Sequence, residues 1–269
     1  MEKQKIGILG VGMVGGALRK YLEKKGDYEI FLYDKNGLGS IAEVDKADFV
    51  YICLPTPYVP QKGCDTSIIE DGINQLSGEK VVIIKSTVIP GTTERLQKKF
   101  SQHKIIFNPE FLTEETTDGD MAYPDKQIVG YTQKSYNVAK NVLQQLPLAP
   151  YESIVPSHVA EMIKYANNTW FAVKVAMNNE LYDLAKKIGF SEDDWFKIIN
   201  GLEADKRVGR THLAIVHKDK RGYWGKCIPK DIKALLDFAK EHGVDMPIRK
   251  ATNDYNDKLL RSQGINEYI

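Results

Sequence analysis

Between the apolar run Ile6 to Leu9 and the helical pattern MVGGALRKYLEKKG lies the turn Gly10-Val11-Gly12-Met13-Val14-Gly15, and no other segment leaves so few folds open. A G-x-G-x-x-G string alone is weak evidence. Here a strand precedes it, a helix follows, and a second strand ends in Asp34, 19 residues beyond Gly15, which is the context of a dinucleotide-binding turn. Gly10 permits the tight turn, Gly12 lets the backbone approach a pyrophosphate, and Gly15 lets helix and strand pack closely; the helix N-terminus adds N–H donors and a positive dipole end. Gly10, Gly12, Met13, Val14 and Gly15 are therefore the expected cradle. Asp34 is placed to accept hydrogen bonds from adenosine ribose hydroxyls and would repel a 2′-phosphate, so NAD is expected over NADP. The alternative is a tight strand-helix turn in an α/β protein that binds another nucleotide.

Up to about Leu148 short β-branched runs (KIGIL, EIFLY, DFVYICL, KVVIIKS, KIIFN, QIVGY) alternate with helical stretches, the pattern of a mostly parallel, doubly wound sheet. In such sheets ligands bind at the carboxyl edge, where Pro55 and Thr56 follow one strand and Ser86 and Thr87 another. From about Pro156 apolar residues recur three and four apart for some eight turns through SHVAEMIKYANNTWFAVKVAMNNELYDLAKKIG, predicting one long helix. Gly189 closes it, Ser191 opens the next, Asn200 to Trp224 reads as short helices and loops, and two further helical stretches follow Pro229 and Pro247. The predicted class is α/β: an N-terminal Rossmann doubly wound sheet over 1–150, then an all-helical domain built on the long helix over 151–269. The long apolar helix suits a homodimer interface, and Trp170 on it is expected to pack between helices.

With 37 basic residues against 36 acidic ones, the formal net charge of +1 calls for neither nucleic acid nor a membrane surface. No signal segment precedes Ile6 and no apolar run reaches the roughly 20 residues of a spanning helix, so a cytoplasmic protein is expected. Cys53, Cys64 and Cys227 are widely spaced with no C-x-x-C pair and no histidine at a ligand interval, predicting thiols and no metal site. Cys53 reads as core and Cys64 as a loop residue. Cys227 lies in GYWGKCIPKDIKALL, just before a Pro-started helix whose first turn holds Lys230 and Asp231. A helix N-terminus and a nearby cation lower a thiol's pKa, and a thiolate can attack a carbonyl; an incidental loop cysteine is the other reading.

At this point the chain resembles the UDP-glucose and GDP-mannose (nucleotide-sugar) 6-dehydrogenase family, whose cysteine sits in a G-F-G-G-x-C-x-P-K-D type segment, here Gly222 to Asp231. The same order of motifs runs through the Gly10 turn, Pro55 to Pro57, STVIPGTT from Ser86, NPEFLTEE from Asn108, E-x-x-K-Y-x-x-N-T from Glu161 and DKRVG from Asp205. The resemblance implies a four-electron oxidation of a sugar C6 hydroxyl to a carboxylate, with NAD reduced twice and Cys227 carrying the carbon as thiohemiacetal and thioester. It implies that Lys164 and Asn168, four apart on one helix face, stabilise the oxyanions. By the same analogy Asp231 and Thr87 position or deprotonate water, and Glu110 and Glu114 flank the substrate as acid or base. Phe111, Leu112 and Lys230 join Glu110, Lys164 and Asn168 in substrate binding, and Arg207 matches an arginine that reaches substrate across a dimer interface. Taken as bare residues, Lys164 would be a solvated lysine paired with Glu161, the loop glutamates solvent-facing and Arg207 ordinary surface charge.

Two departures stand out. The chain reads as a short form without the family's C-terminal nucleotide-gripping domain. Trp224 replaces the second of three closely spaced glycines and Lys226 takes a usually small position, placing a bulky ring where the sugar is expected to approach. The basic stretch Lys218, Lys220, Arg221 and Lys226 could attract a diphosphate, or be a solvated loop. A β-hydroxyacid-type dehydrogenase, which makes one hydride transfer without a cysteine, and an NAD-binding pseudoenzyme or assembly subunit are the competing readings.

Overall fold

The computed structural model describes residues 3–268. The elements run β1 (Gln4–Leu9), α1 (Met13–Lys25), β2 (Tyr28–Asp34), β3 (Leu38–Gly39), α2 (Ile41–Val44), β4 (Phe49–Ile52), β5 (Tyr58–Val59), β6 (Gly63–Cys64), α3 (Ser67–Asn74), β7 (Val81–Ile84) and α4 (Thr92–Lys99). They continue as β8 (Lys104–Phe107), α5 (Thr117–Ala122), β9 (Lys126–Tyr131), α6 (Tyr136–Gln145), β10 (Tyr151–Pro156), α7 (Ser157–Lys187), α8 (Glu192–Glu203), β11 (Val216–His217), β12 (Lys220–Arg221), α9 (Ile228–Glu241) and α10 (Pro247–Ser262). The chain divides into two compact units: the first holds the chain up to Pro57 and Cys64–Lys164, the second Tyr58–Gly63 and the chain from Tyr165 onward.

The first unit is built on a sheet of order β10-β9-β8-β7-β4-β1-β2-β3. β8, β7, β4, β1 and β2 are parallel, β9 turns antiparallel to β8, and β10 runs parallel to β9. Central strands are apolar on both faces because helices cover both: Val50 and Ile52 face one core and Phe49 and Tyr51 the other. The strand order reverses at β1, whose neighbours are β2 and β4, so the β1 and β4 carboxyl ends form the crevice where such sheets bind ligands. The six strands expected from sequence all form. β10 was not among them, because its first residues, Tyr151 and Glu152, are exposed and it lacks the apolar alternation that marks a half-buried strand.

The long helix α7, 31 residues, begins in the first unit and continues from Tyr165 in the second. Gly189 takes φ +94° just after it, and Ser191 caps α8 through a reciprocal box with Asp194, a device worth about 1 kcal/mol. The stretch expected to be short helices and loops also contains a hairpin, β11 pairing antiparallel with β12. Its turn residues Lys218 and Asp219 have φ of +48° and +65°, a left-handed pair more often built from Asn and Gly, so no turn signal marks it in the sequence. Trp170 corrects another expectation. It is 57% exposed, because α7 turns Ala172 and Val175 inward to Tyr223 and Ile232 and leaves Trp170 on the other side of the helix. Among the described residues no helix is long and apolar enough to cross a membrane.

Candidate active site

The Gly10 turn is shaped by backbone crowding. Gly10 has φ +86°, its N–H donates to the Tyr33 carbonyl at 2.9 Å, and a side chain on it would stand 2.6 Å from the Cys53 carbonyl oxygen. A Cβ on Gly15 would lie 1.9 Å from the Gly10 carbonyl oxygen, whereas one on Gly12 would meet nothing within 4 Å. The turn is thus closed behind Gly10 and Gly15 and open in front of Gly12, at the N-terminus of α1, as an approaching pyrophosphate requires. Asp34, at the end of β2, accepts from Val11 N–H at 2.9 Å and Asn36 N–H at 3.0 Å. The Asn36 and Val11 donors hold its carboxyl below the usual range, so it is ionised beside the turn, suited to a diol and repelling a phosphate. The residues present fit NAD.

Thr56 and Ser86 bracket the neighbouring strand ends. Thr56 Oγ1 donates to the Thr87 carbonyl at 2.7 Å, and Ser86 Oγ to the Leu54 carbonyl at 2.6 Å; both side chains are buried. Their hydroxyl protons are engaged by the chain, which leaves them acceptors toward any ligand. Pro55, just before Thr56, is exposed. Cys53 behind this edge is inert, its thiol pushed up to about 12 by burial.

Lys164 decides a choice left open by sequence. It is 4% exposed, and its Nζ donates to the Glu110 carbonyl at 2.6 Å and to Glu110 Oε1 at 2.9 Å. The bare-residue reading, a solvated lysine paired with Glu161, is overturned, as is a solvent-facing Glu110. Burial alone would raise the Glu110 carboxyl, but Lys164, the Leu112 N–H at 2.7 Å and Lys85 together hold it below the ordinary value. The Lys164 ammonium also lies 5.3 Å from the centre of the Phe111 ring, and that of Lys126 4.1 Å, within cation–π range. Glu114, farther along the same loop, is exposed.

Glu161 instead turns to the N-terminus of α4, where it accepts from Gly91 N–H at 2.6 Å, Thr93 N–H at 2.8 Å and Thr93 Oγ1 at 2.6 Å. Burial pushes its carboxyl up to about 7 against these donors. A native pKa raised above the unfolded one contributes stability at low pH that is lost as pH rises through the native value. The melting temperature of Glu161→Gln should therefore gain on that of the wild type as pH rises from 4.5 to about 7. A difference that stays constant across that window would show that Glu161 does not titrate there.

In the second unit Cys227 is exposed and stands as the N-cap of α9, with Pro229 in the first turn. Asp231, 1% exposed, accepts from Asn168 Nδ2 at 2.6 Å and from Lys230 Nζ at 2.5 Å, while its own N–H donates to the Cys227 carbonyl at 3.1 Å. Cys227, Lys230, Asp231 and Asn168, singled out in sequence, are thus knitted together. Asn256 on α10 went unnoticed there: it accepts from Tyr223 N–H at 2.8 Å and donates to the Tyr223 carbonyl at 2.9 Å, clamping the glycine loop before the cysteine. Its only sequence signal is its register with Thr252, Leu259 and Leu260 on the buried face of α10.

The bulky ring of Trp224 is drawn to the hairpin, with the Lys220 ammonium 4.8 Å from its centre and the His217 and Tyr268 rings at 5.7 and 6.2 Å. Arg221 is engaged with Asp183 at 2.6 Å and Asn179 at 3.0 Å, which withdraws it from the expected diphosphate set. Arg207 lies on a turn after α8, its side chain 90% exposed and bonded to Asp205.

Residues 39–146 match the NAD binding domain, and residues 158–258 the central domain, of the UDP-glucose/GDP-mannose dehydrogenase family. A UDP-glucose 6-dehydrogenase of Rickettsia conorii is 32% identical over 220 residues, 78% of this chain and 49% of that protein; the chain thus spans about half the length of such relatives. One of Campylobacter jejuni is 30% identical over 98% of this chain and 74% of its own length. The fold is shared with a UDP-glucose dehydrogenase from Pyrobaculum islandicum, at a TM-score of 0.82 and 24% identity over 97% of this chain and 69% of that one. With its NAD-binding half and its helical half each matched in order, the chain belongs to the UDP-glucose/GDP-mannose dehydrogenase family.

Proposed function

We propose that this chain oxidises the C6 hydroxyl of a nucleotide sugar, with UDP-glucose the first candidate, to a carboxylate, as a cytoplasmic homodimer. In this reading residues 1–150 bind NAD and 151–269 form the helical, dimerising part that carries the catalytic cysteine. The observation that carries the reading is Cys227 exposed at the N-cap of α9 with Asp231, Asn168 and Lys230 bonded behind it. A dehydrogenase making a single oxidation has no use for a thiol there.

Bound NAD supplies the hydride acceptor, used twice per sugar. Gly10, Gly12, Met13, Val14 and Gly15 would hold its pyrophosphate, Asp34 its ribose hydroxyls, and Pro55, Thr56, Ser86 and Thr87 would line the sheet edge. Cys227 sulfur bonds to C6 at the aldehyde stage, so the aldehyde stays attached, first as thiohemiacetal and then as thioester. Lys164 and Asn168 donate to the oxygen that becomes negative in each tetrahedral species. Asp231 holds the water that cleaves the thioester and returns the thiol, a role that the family resemblance extends to Thr87. Glu110 keeps Lys164 directed; with Glu114, Phe111, Leu112, Lys230 and Arg207 it contacts substrate.

The test is stoichiometry. A panel of UDP- and GDP-sugars incubated with NAD and the protein should yield two NADH per sugar and an acid product; one NADH per sugar rejects the cysteine mechanism. Removing the Asp34 carboxylate by Asp34→Ala should raise KM for NAD about tenfold, the loss of one charge-assisted hydrogen bond, and narrow the preference over NADP. An unchanged KM would take Asp34 out of the ribose site.

A further inference from the structure

Lys174, on α7, is 7% exposed and bonded to carbonyls instead of a carboxylate: Val208 at 3.1 Å, Gly209 at 3.2 Å and Thr211 at 2.5 Å. An ammonium has three donors, and one loop supplies three acceptors. For plain packing an apolar side chain would serve without the cost of taking a cation out of water. A buried cation instead dictates that the loop's carbonyls turn inward, and the φ of +73° at Gly209 allows that reversal. The far end of the loop is fastened to the same helix, since His212 stacks on Phe171 of α7 with ring centres 3.9 Å apart and planes 7° apart. With its carbonyls held inward, the loop carries Lys206, Arg207 and Arg210 on its exposed side. Asp205 braces Arg207 there, accepting from its backbone N–H at 2.9 Å, from Nε at 3.0 Å and from Nη2 at 2.6 Å.

We infer that Lys174 is a positioning residue, a latch that fixes the loop over residues 205–211 so that Arg207 is presented to the anionic part of the substrate. The inference rests on the reading of Arg207 as a substrate contact given under the proposed function. Without the latch the loop's carbonyls are free to turn to water, and Arg207 must be ordered anew each time substrate binds, a cost that shows in affinity.

The experiment compares Lys174→Met, Lys174→Arg and Arg207→Ala in steady-state kinetics and in limited trypsin digestion, with cleavage after Lys206, Arg207 and Arg210 followed by mass spectrometry. Lys174→Met should raise KM for the nucleotide sugar about tenfold, the worth of one charge-assisted contact, leave kcat within about threefold, and speed cleavage in the loop. Lys174→Arg, which keeps donors for the carbonyls, should restore both, and Arg207→Ala should raise KM without speeding cleavage after Lys206 or Arg210. Faster cleavage with an unchanged KM in Lys174→Met, while Arg207→Ala raises it, overturns the positioning role. Unchanged cleavage overturns the latch itself. If Arg207→Ala leaves KM unchanged, the reading of Arg207 fails and the proposal with it, while digestion still reports whether Lys174 holds the loop.

Discussion

Cys227→Ala should end carboxylate formation: NADH release falls from two per sugar to at most one, and steady-state turnover drops by about 10³-fold or more, the scale of losing a covalent nucleophile. The residue is exposed at the N-cap of α9, so the melting temperature should stay within a few degrees of the wild type and NAD affinity should be unchanged. That combination distinguishes chemistry from folding. Full activity in the variant would favour a β-hydroxyacid-type dehydrogenase that makes one oxidation. NAD binding with no turnover in the wild type itself would favour a binding or assembly subunit. Asp231→Asn is the natural companion, because Asp231 receives Asn168 and Lys230 on its two oxygens. If it holds the hydrolytic water, its loss should slow release of the acid and let enzyme-bound thioester accumulate, which mass spectrometry of quenched enzyme would detect.

The parts of the molecule that were legible in sequence are those set by local chemistry. The Gly10 turn could be read because crowding against the Cys53 and Gly10 carbonyls excludes any side chain at Gly10 and Gly15. The start of α8 could be read because Ser191 and Asp194 complete their cap within four residues. Partner choice is different, since it depends on what the fold brings from a distance. Glu161 and Lys164 sit three apart on one helix, a spacing that favours a pair, yet Glu161 goes to the N-terminus of α4 and Lys164 to Glu110, 54 residues away. Trp170 shows the same limit, because an apolar residue on a long helix reads alike whether it faces a core or lies in the open. Lys174 and Asn256 carry little local signal; their partners are backbone atoms of loops, which no side-chain motif announces.

Breaking the Lys164–Glu110 pair should give the largest change in stability. The Lys164 side chain is buried and that of Glu110 nearly so, at 5% and 11% exposure, and removing one member of such a pair leaves an uncompensated charge, a loss of about 3–5 kcal/mol. Lys164→Met should therefore melt far below the wild type, and Lys164→Met combined with Glu110→Gln should recover much of the loss, because that buried carboxylate is gone as well. Variant and wild type should also respond oppositely to pH. In the wild type the Glu110 carboxyl is depressed, so its contribution is present above its unfolded pKa and is lost as pH falls through the native value. Without Lys164 burial dominates and raises the carboxyl, so the single variant should instead gain stability on acidification as Glu110 takes a proton. Denaturant titrations from about pH 2.5 to about pH 8, spanning the ordinary carboxyl pKa and the range below it, would show this opposite slope, and parallel curves for variant and wild type would mean that Lys164 does not set the charge of Glu110. Activity separates the lysine's other role. If its ammonium stabilises the oxyanion, kcat in the refolded double variant should stay about 10²–10³-fold down, below Glu110→Gln alone. A double variant as active as Glu110→Gln would reduce Lys164 to a partner that holds Glu110 in place.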